Sequence, residues 1–381
     1  MRHLKIKLVG LSAVFCCCLV FPMLNDTFGL VKDIDNFENR QAAKRPNFDI
    51  NKLDPFPNAF DTFYNDRFNL RASIIQSFNL YTIEYLNKSP VPDKVILGKD
   101  KWLYSAGPEM DSYQGKNRLS EKELGDFKEE LEYRKAYLEK LGCEFYFLIA
   151  PAKANIHGEH IPYQYSRINK QCWGEQLIDY LTKNSMVKPI SIFESLRSKK
   201  AEDDVYYHLD NHWNSLGGFY AANAVLDSVH KKFPFCKAIP RNDYKIKRSG
   251  ECGGNLQKML GNLPLFSEEC FELENLVPLK AKQGKAGGYP PLVGFPYPWE
   301  YEKDKEIADS TGPKLLVISD SFGENIFPYL TENFSRSVKI FDAWQYKLNE
   351  DIVIKEKPDV YLLVIHEPLL RNFLEHPSRK K

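Results

Sequence analysis

The chain has 381 residues, 43% of them apolar, and its 52 lysines and arginines nearly cancel 51 aspartates and glutamates, for a formal net charge of +1. That length and apolar content support a substantial core in one large domain or two modest ones. The balance of charge excludes a global basic field for nucleic acid and an acidic solvating tail, and an aromatic content of 13% suits a dense core before it suits a sugar-stacking surface.

In chain order, Arg2, His3, Lys5 and Lys7 precede an uncharged apolar run from Leu8 to Leu24, closed by Asn25 and Asp26. This is the layout of a signal anchor over residues 1–25, and at roughly 17 residues the run is just long enough to cross a bilayer. No small-x-small cleavage site follows, so the anchor is expected to be retained and the remainder to be membrane-anchored and extracytoplasmic. Cys16, Cys17 and Cys18 do not read as a lipidation site, because Phe15 stands where a small residue should precede the modified cysteine.

Residues 26–94 read as a tether and an N-terminal helical region. The stretch from 26 to 60 is Pro- and Asn-rich, and from Phe60 to Leu86 the apolar spacing becomes helical, with Asp61 or Asn65 as caps. The main domain is expected over 95–375, where helices alternate with short apolar strands. A charged helix from Ser120 to Leu141 leads to a buried strand at 144–149; a helix over Gln176–Leu181 and a brief strand at 188–192 follow. Ser215 then caps a helix reaching Phe233, with Phe219, Ala222, Leu226, Val229 and Phe233 on its inner face. Strands at 314–318, 338–341 and 360–365, separated by helices, complete the signature of an α/β fold, a parallel sheet covered on both faces. Residues 240–312 interrupt this rhythm with Gly, Pro and aromatics and read as an insertion of irregular loops and short hairpins, a kind of segment that is usually functional.

Outside the anchor the cysteines are Cys143, Cys172, Cys236, Cys252 and Cys270. They form no CxxC pair and have no histidine at ligand spacing, so neither zinc nor another metal is indicated. In an oxidising compartment Cys252 and Cys270 are the simplest pair, although spacing does not fix connectivity, and the odd count leaves at least one thiol free.

Two segments carry chemistry. Within Tyr206-Tyr207-His208-Leu209-Asp210-Asn211-His212-Trp213-Asn214, an Asp and a His one residue apart in a turn present both side chains to one side, and a carboxylate beside an imidazole fixes its tautomer and stabilises its protonated form. Taken alone, the pair reads equally as a capping Asp and a surface His. Ser319-Asp320-Ser321-Phe322-Gly323 follows directly on the strand at 314–318, where α/β folds expose nucleophiles and helix N–H groups bind an oxyanion; alone, it reads as ordinary helix capping. Together they supply a serine nucleophile, a base and an orienting acid.

The order Asp-x-His-Trp, then Asp-Ser-Phe after a strand, resembles the SGNH-hydrolase-like domain of the alginate O-acetyltransferases, the AlgJ and AlgX type. Gly98-Lys99-Asp100-Lys101-Trp102-Leu103-Tyr104, Pro151-Ala152-Lys153, Ile161-Pro162 and Lys357-Pro358-Asp359-Val360 support it in order, over roughly residues 60–370. The resemblance implies an SGNH-hydrolase-like fold with Ser321 as nucleophile, His212 as base and Asp210 as orienter, in an order circularly permuted from ordinary SGNH hydrolases. Ser319 departs from the glycine common before the Asp-Ser pair, and the Ser321 backbone N–H is the one oxyanion donor named.

The resulting expectation is an O-acetyltransferase that passes acetyl through an acetyl-serine to hydroxyls of an exported polysaccharide, without metal or cofactor. Acetyl would arrive from a membrane O-acyltransferase, the partner implied by the resemblance. An acetylesterase with the same triad and a non-catalytic polysaccharide-binding scaffold are the rivals. Little chain follows the last strand, so the carboxyl-terminal carbohydrate-binding domain of the AlgX type is expected to be absent. His157, His160, His208, His230, His366 and His376 read as surface or core residues, Trp213 as a brace, and Lys153 as a solvated turn lysine before a contact to acidic substrate.

Overall fold

A computed structural model describes residues 2–34, 42–51, 53–285, 287–308 and 310–379, with backbone alone for 2–8. The tether over 26–60 thus falls in part, at 35–41 and 52, outside the described residues, as do the side chains of Arg2, His3, Lys5 and Lys7. The chain forms two compact units, residues 1–95 with 255–266 and residues 96–254 with 267–381.

The first unit is helical. Its helix Arg2–Phe28 contains an apolar stretch, Val9–Phe28, of 20 residues with mean hydropathy 1.7. At 1.5 Å per residue such a helix is long and apolar enough to cross a membrane. The single helix predicted from Phe60 to Leu86 is instead two, Pro55–Arg67 and Arg71–Leu86. Phe68 turns extended and Leu70 adopts the left-handed conformation (φ 63°), so the ladder stops at the Phe68 N–H to Tyr64 carbonyl bond. The break is held by burial of Leu70 and by Asn25, whose Nδ2 donates to Asn69 Oδ1 at 2.5 Å.

The second unit contains the sheet that positions the site. The strands in chain order are β1 (Val95–Leu97), β2 (Leu103–Ser105), β3 (Glu144–Ala150), β4 (Tyr244–Cys252), β5 (Glu268–Asn275), β6 (Lys282–Gln283), β7 (Glu302–Glu306), β8 (Lys314–Ser319), β9 (Arg336–Phe341) and β10 (Val360–His366). Six form one sheet in the order β3-β10-β8-β9-β7-β6. β3, β10, β8 and β9 are parallel, as their apolar runs predict, whereas β7 and β6 are antiparallel, so the sheet is mixed. The antiparallel strands come from the insertion at 240–312. β7 reads Glu-Lys-Asp-Lys-Glu and has no apolar signature; charge of this kind suits a strand near a sheet edge, where it discourages pairing with other chains.

Alternate residues of the parallel strands enter different cores. Val360, Leu362 and Val364 join Leu315 and Val317 under the helices Ser215–His230 and Gly323–Leu330. Tyr361, Leu363 and Ile365 join Leu316 and Ile318 under Glu121–Lys140, Trp173–Asn184 and Glu350–Glu356. Burial on both faces explains why these strands read as continuous apolar runs. The strand predicted at 188–192 reduces to one bridge, Leu148 with Ile190. β4 and β5 make an antiparallel hairpin joined by a Cys252–Cys270 disulfide, and Cys143, Cys172 and Cys236 are buried thiols.

The helix Ser215–His230 is capped by Asn214, not by Ser215. Asn214 Oδ1 accepts from the N–H groups of Leu216 and Gly217 at 3.0 and 3.1 Å, while its Nδ2 donates to Asp204 O at 2.7 Å. Loss of a cap costs about 0.5–2 kcal/mol. Asn214→Ala is therefore expected to lower the unfolding free energy by about that amount in urea titration, and Asn214→Asp, which keeps the acceptor, by less.

Candidate active site

The turn after β8 is built around a buried carboxylate. Asp320 Oδ1 accepts from Phe322 N at 2.8 Å, and its Oδ2 accepts from the Tyr346 hydroxyl at 2.6 Å and from His366 N at 2.7 Å. Asp320 thereby ties the turn to the loop after β9 and to the end of β10. Burial raises its pKa, against the opposing pull of these donors and of His212. A Cβ on Gly323 would meet Ser319 Oγ at 2.0 Å, so only glycine lets the following helix start this close to the strand. The result is a half-buried Ser321 at the carboxyl edge of the sheet.

The second turn, Tyr206–Asn214, closes through a bridge between Tyr206 and Trp213. Asp210 Oδ1 accepts from His212 N at 3.1 Å and lies 2.6 Å from His212 Nδ1. His212 Nε2 lies 2.7 Å from Ser321 Oγ, across 109 residues of sequence. The carboxylate on Nδ1 selects the Nδ1–H tautomer and leaves Nε2 to accept the serine proton. Burial disfavours the imidazolium, but the hydrogen bond and charge of Asp210, with the charges of Asp320 and Glu300, outweigh it, so the His212 pKa is raised. Its side chain keeps 19% of its surface exposed, so a small molecule can reach it.

Trp213 joins the two turns. It is fully buried, its Nε1 donates to Phe322 O at 3.1 Å, and its ring meets Phe322 edge-on at 5.0 Å. Asn325 Nδ2 returns a bond to Trp213 O at 2.9 Å. Phe322 in turn stacks on His366 at 3.9 Å. Burial, together with the charge of His212, holds the His366 pKa well below its ordinary value, which keeps a second positive charge out of the site.

Residues 95–339 match the model of the SGNH hydrolase-like domain of acetyltransferase AlgX. The chain belongs to this AlgX family of SGNH hydrolase-like acetyltransferases. A probable alginate O-acetylase AlgJ from Pseudomonas syringae pv. tomato is 25% identical over 217 residues, which cover 55% of this chain and 51% of that protein. The chain thus spans about half the length of that curated relative. Among solved structures, Bacillus cereus PatB1 superposes with a TM-score of 0.52 at 17% identity, covering 75% of this chain and 100% of that one. A DHHW family protein from Eubacterium siraeum gives 0.51 at 13% identity, covering 76% and 100%. These likenesses agree on the fold.

In this AlgX-family chain Lys153 is not a solvated turn lysine. It is fully buried, and its Nζ donates to the carbonyls of Tyr207, His208 and Asp210 at 3.2, 3.1 and 2.6 Å. Three ammonium protons meet three carbonyls of the turn that carries Asp210 and His212. Burial lowers its pKa to about 8, against the attraction of the Glu109, Asp210 and Glu268 carboxylates. Glu268, first residue of β5, accepts from His208 N and Leu209 N at 2.7 and 3.1 Å, and a Cβ on Gly254 would strike Leu209 O at 2.1 Å. Glu268 had no signal in sequence, and the clamping roles of Lys153 and Asp320, although both lie in the motifs quoted above, did not show there, because most of their partners lie far along the chain. His208 pairs with Asp204 at 2.7 Å and stacks on Trp102, and among the described residues no cluster of ligands fits a metal ion.

Lys153→Met strips three carbonyls of their donor. Each buried unsatisfied polar group costs about 1–3 kcal/mol, so a loss of at least ~2 kcal/mol in denaturant unfolding is expected, with Lys153→Arg failing to restore it because a planar guanidinium does not match three converging acceptors.

Proposed function

We propose that this chain is a serine-dependent O-acetyltransferase that acetylates hydroxyls of an exported polysaccharide. The observation that carries the reading is the continuous hydrogen-bonded line from Asp210 through His212 to Ser321, in a chain of an acetyltransferase family. The order of the three residues is permuted relative to ordinary SGNH hydrolases.

In the first half-reaction Ser321 Oγ attacks the acetyl carbonyl of a donor while its proton passes to His212 Nε2. The Ser321 N–H stabilises the oxyanion, and collapse of the tetrahedral adduct expels the donor's leaving group with the proton from His212. In the second, a sugar hydroxyl gives its proton to His212 and attacks the acetyl-serine, releasing the acetylated sugar and returning the proton to Ser321. Asp210 stays ionised and steadies the imidazolium in both. No step calls on a metal or cofactor. The apolar helix at the N-terminus supports an anchored, extracytoplasmic placement, in which acetyl is handed over by a membrane O-acyltransferase.

The test is acetyl release from 4-nitrophenyl acetate, with mass spectrometry for an acetyl adduct and an acceptor oligosaccharide added. Ser321→Ala is expected to abolish the adduct and lower turnover by about 10³-fold or more. Retained adduct in that variant removes the nucleophile, and acetate without acetylated sugar selects the esterase.

The raised His212 pKa sets the pH dependence. The base works only when neutral, so kcat/KM should rise with pH through an apparent pKa above the ordinary histidine value of about 6.5. Asp210→Asn removes the charge that favours the imidazolium; the limb should move to lower pH while the plateau falls by roughly 10²–10⁴. A limb that stays in place in this variant contradicts the pairing.

A further inference from the structure

The carboxyl edge of the sheet extends past Ser321 to an exposed aromatic turn. Phe341 pairs with Ser319 across β8 and β9, and its N–H donates to Tyr301 O at 2.9 Å at the entry to β7. The turn Pro298–Glu300 therefore lies level with the nucleophile turn, two strand spacings or roughly 10 Å along the edge. Glu300 is near enough for its charge to act on His212.

On this turn Trp299 exposes 70% of its surface. It nevertheless rests on an aromatic base. Its ring meets Tyr297 edge-on at 5.9 Å, Tyr297 meets Phe295 at 6.0 Å and Trp344 at 6.4 Å, and Phe295 packs on Phe341 at 5.0 Å. A large indole held in solvent on a braced aromatic base, beside a reactive serine, has the character of a ligand contact. A pyranose fits it: its C–H face packs on the indole, and its rim hydroxyls donate to a carboxylate.

Charge narrows the sugar. Asp210, Asp320 and Glu300, the charged groups acting most strongly on His212, are all acidic. Lys303 and Lys339, side by side on β7 and β9, are both engaged by Glu324. A uronate beside Trp299 would bring its carboxylate against that of Glu300.

We propose that the Tyr297–Trp299–Glu300 turn is an acceptor subsite that stacks a pyranose without a carboxylate, next to the sugar acetylated at Ser321. It rests on the transfer reading above. The test uses the full-length protein in detergent, with the β-1,4-linked glucose hexamer and the mannuronate hexamer as probes. Calorimetry on Ser321→Ala should show saturable binding of the glucose hexamer and weaker binding of the mannuronate hexamer. Adding Trp299→Ala should weaken the former about tenfold or more, Trp299→Tyr should largely restore it, and Glu300→Gln should narrow the preference about threefold or more. In the otherwise wild-type enzyme Trp299→Ala should raise the acceptor KM by a larger factor than it lowers the rate of acetyl-enzyme formation. Tighter binding of mannuronate, binding indifferent to Trp299→Ala in a variant with wild-type melting, or no saturable binding of either hexamer overturns the proposal. Persistence of the acetyl adduct in Ser321→Ala instead defeats the transfer reading, while the calorimetry still decides the subsite.

Discussion

The site depends on holding two turns from distant parts of the chain within hydrogen-bond distance. A bond of 2.7 Å between His212 and Ser321 tolerates little relative motion, and neither residue fixes the other. Trp213 supplies the constraint by donating to the nucleophile turn and accepting from the helix behind it. The two helices meet where a Cβ on Gly218 would strike Asn325 O at 2.2 Å, so glycine permits the approach that the tryptophan strut requires.

Charge is buried around this contact for position more than for stability. The Lys153 ammonium and the Asp320 carboxylate both lie out of water, and such burial is repaid only when every proton or lone pair is met. Lys153 meets three carbonyls of the base turn, and Asp320 meets three donors around the nucleophile turn. Each therefore acts as a rigid multidentate clamp, and a preorganised pair of turns lowers the reorganisation that proton transfer would otherwise demand.

Sequence made the central architecture legible where local pattern and tertiary role agree. Apolar runs marked β3, β8 and β10, and β9 despite its Lys339, while Asp210, His212 and Ser321 stood out only in combination, since each turn alone reads as ordinary capping. The AlgJ and AlgX resemblance, read from Asp-x-His-Trp and Asp-Ser-Phe, agrees with the family match. What escaped had no local signature. β7 is wholly charged, and it pairs with β9 through its backbone and through Arg336, which bonds to Asp304 and Glu306. The break at Leu70 rests on a contact to Asn25, the cap falls on Asn214 because the chain turns helical one residue later, and Lys153 looks like any turn lysine until its three acceptors converge.

The insertion at 240–312 shows how such a fold divides its labour. The parallel strands fix Ser321 through backbone pairing and buried side chains, which leaves little freedom to vary. The insertion approaches the site from two directions instead: β5 sends Glu268 to the turn carrying Asp210 and His212, and the turn leading into β7 brings Trp299 and Glu300 level with Ser321. The disulfide between Cys252 and Cys270 crosses the hairpin close to Glu268, tying a loop-rich segment down where it meets the site. Because these contacts come from loops and edge strands, they can change in charge and aromatic content without disturbing the sheet. On the transfer reading proposed above, acceptor preference is therefore free to diverge while the line from Asp210 to Ser321 stays fixed.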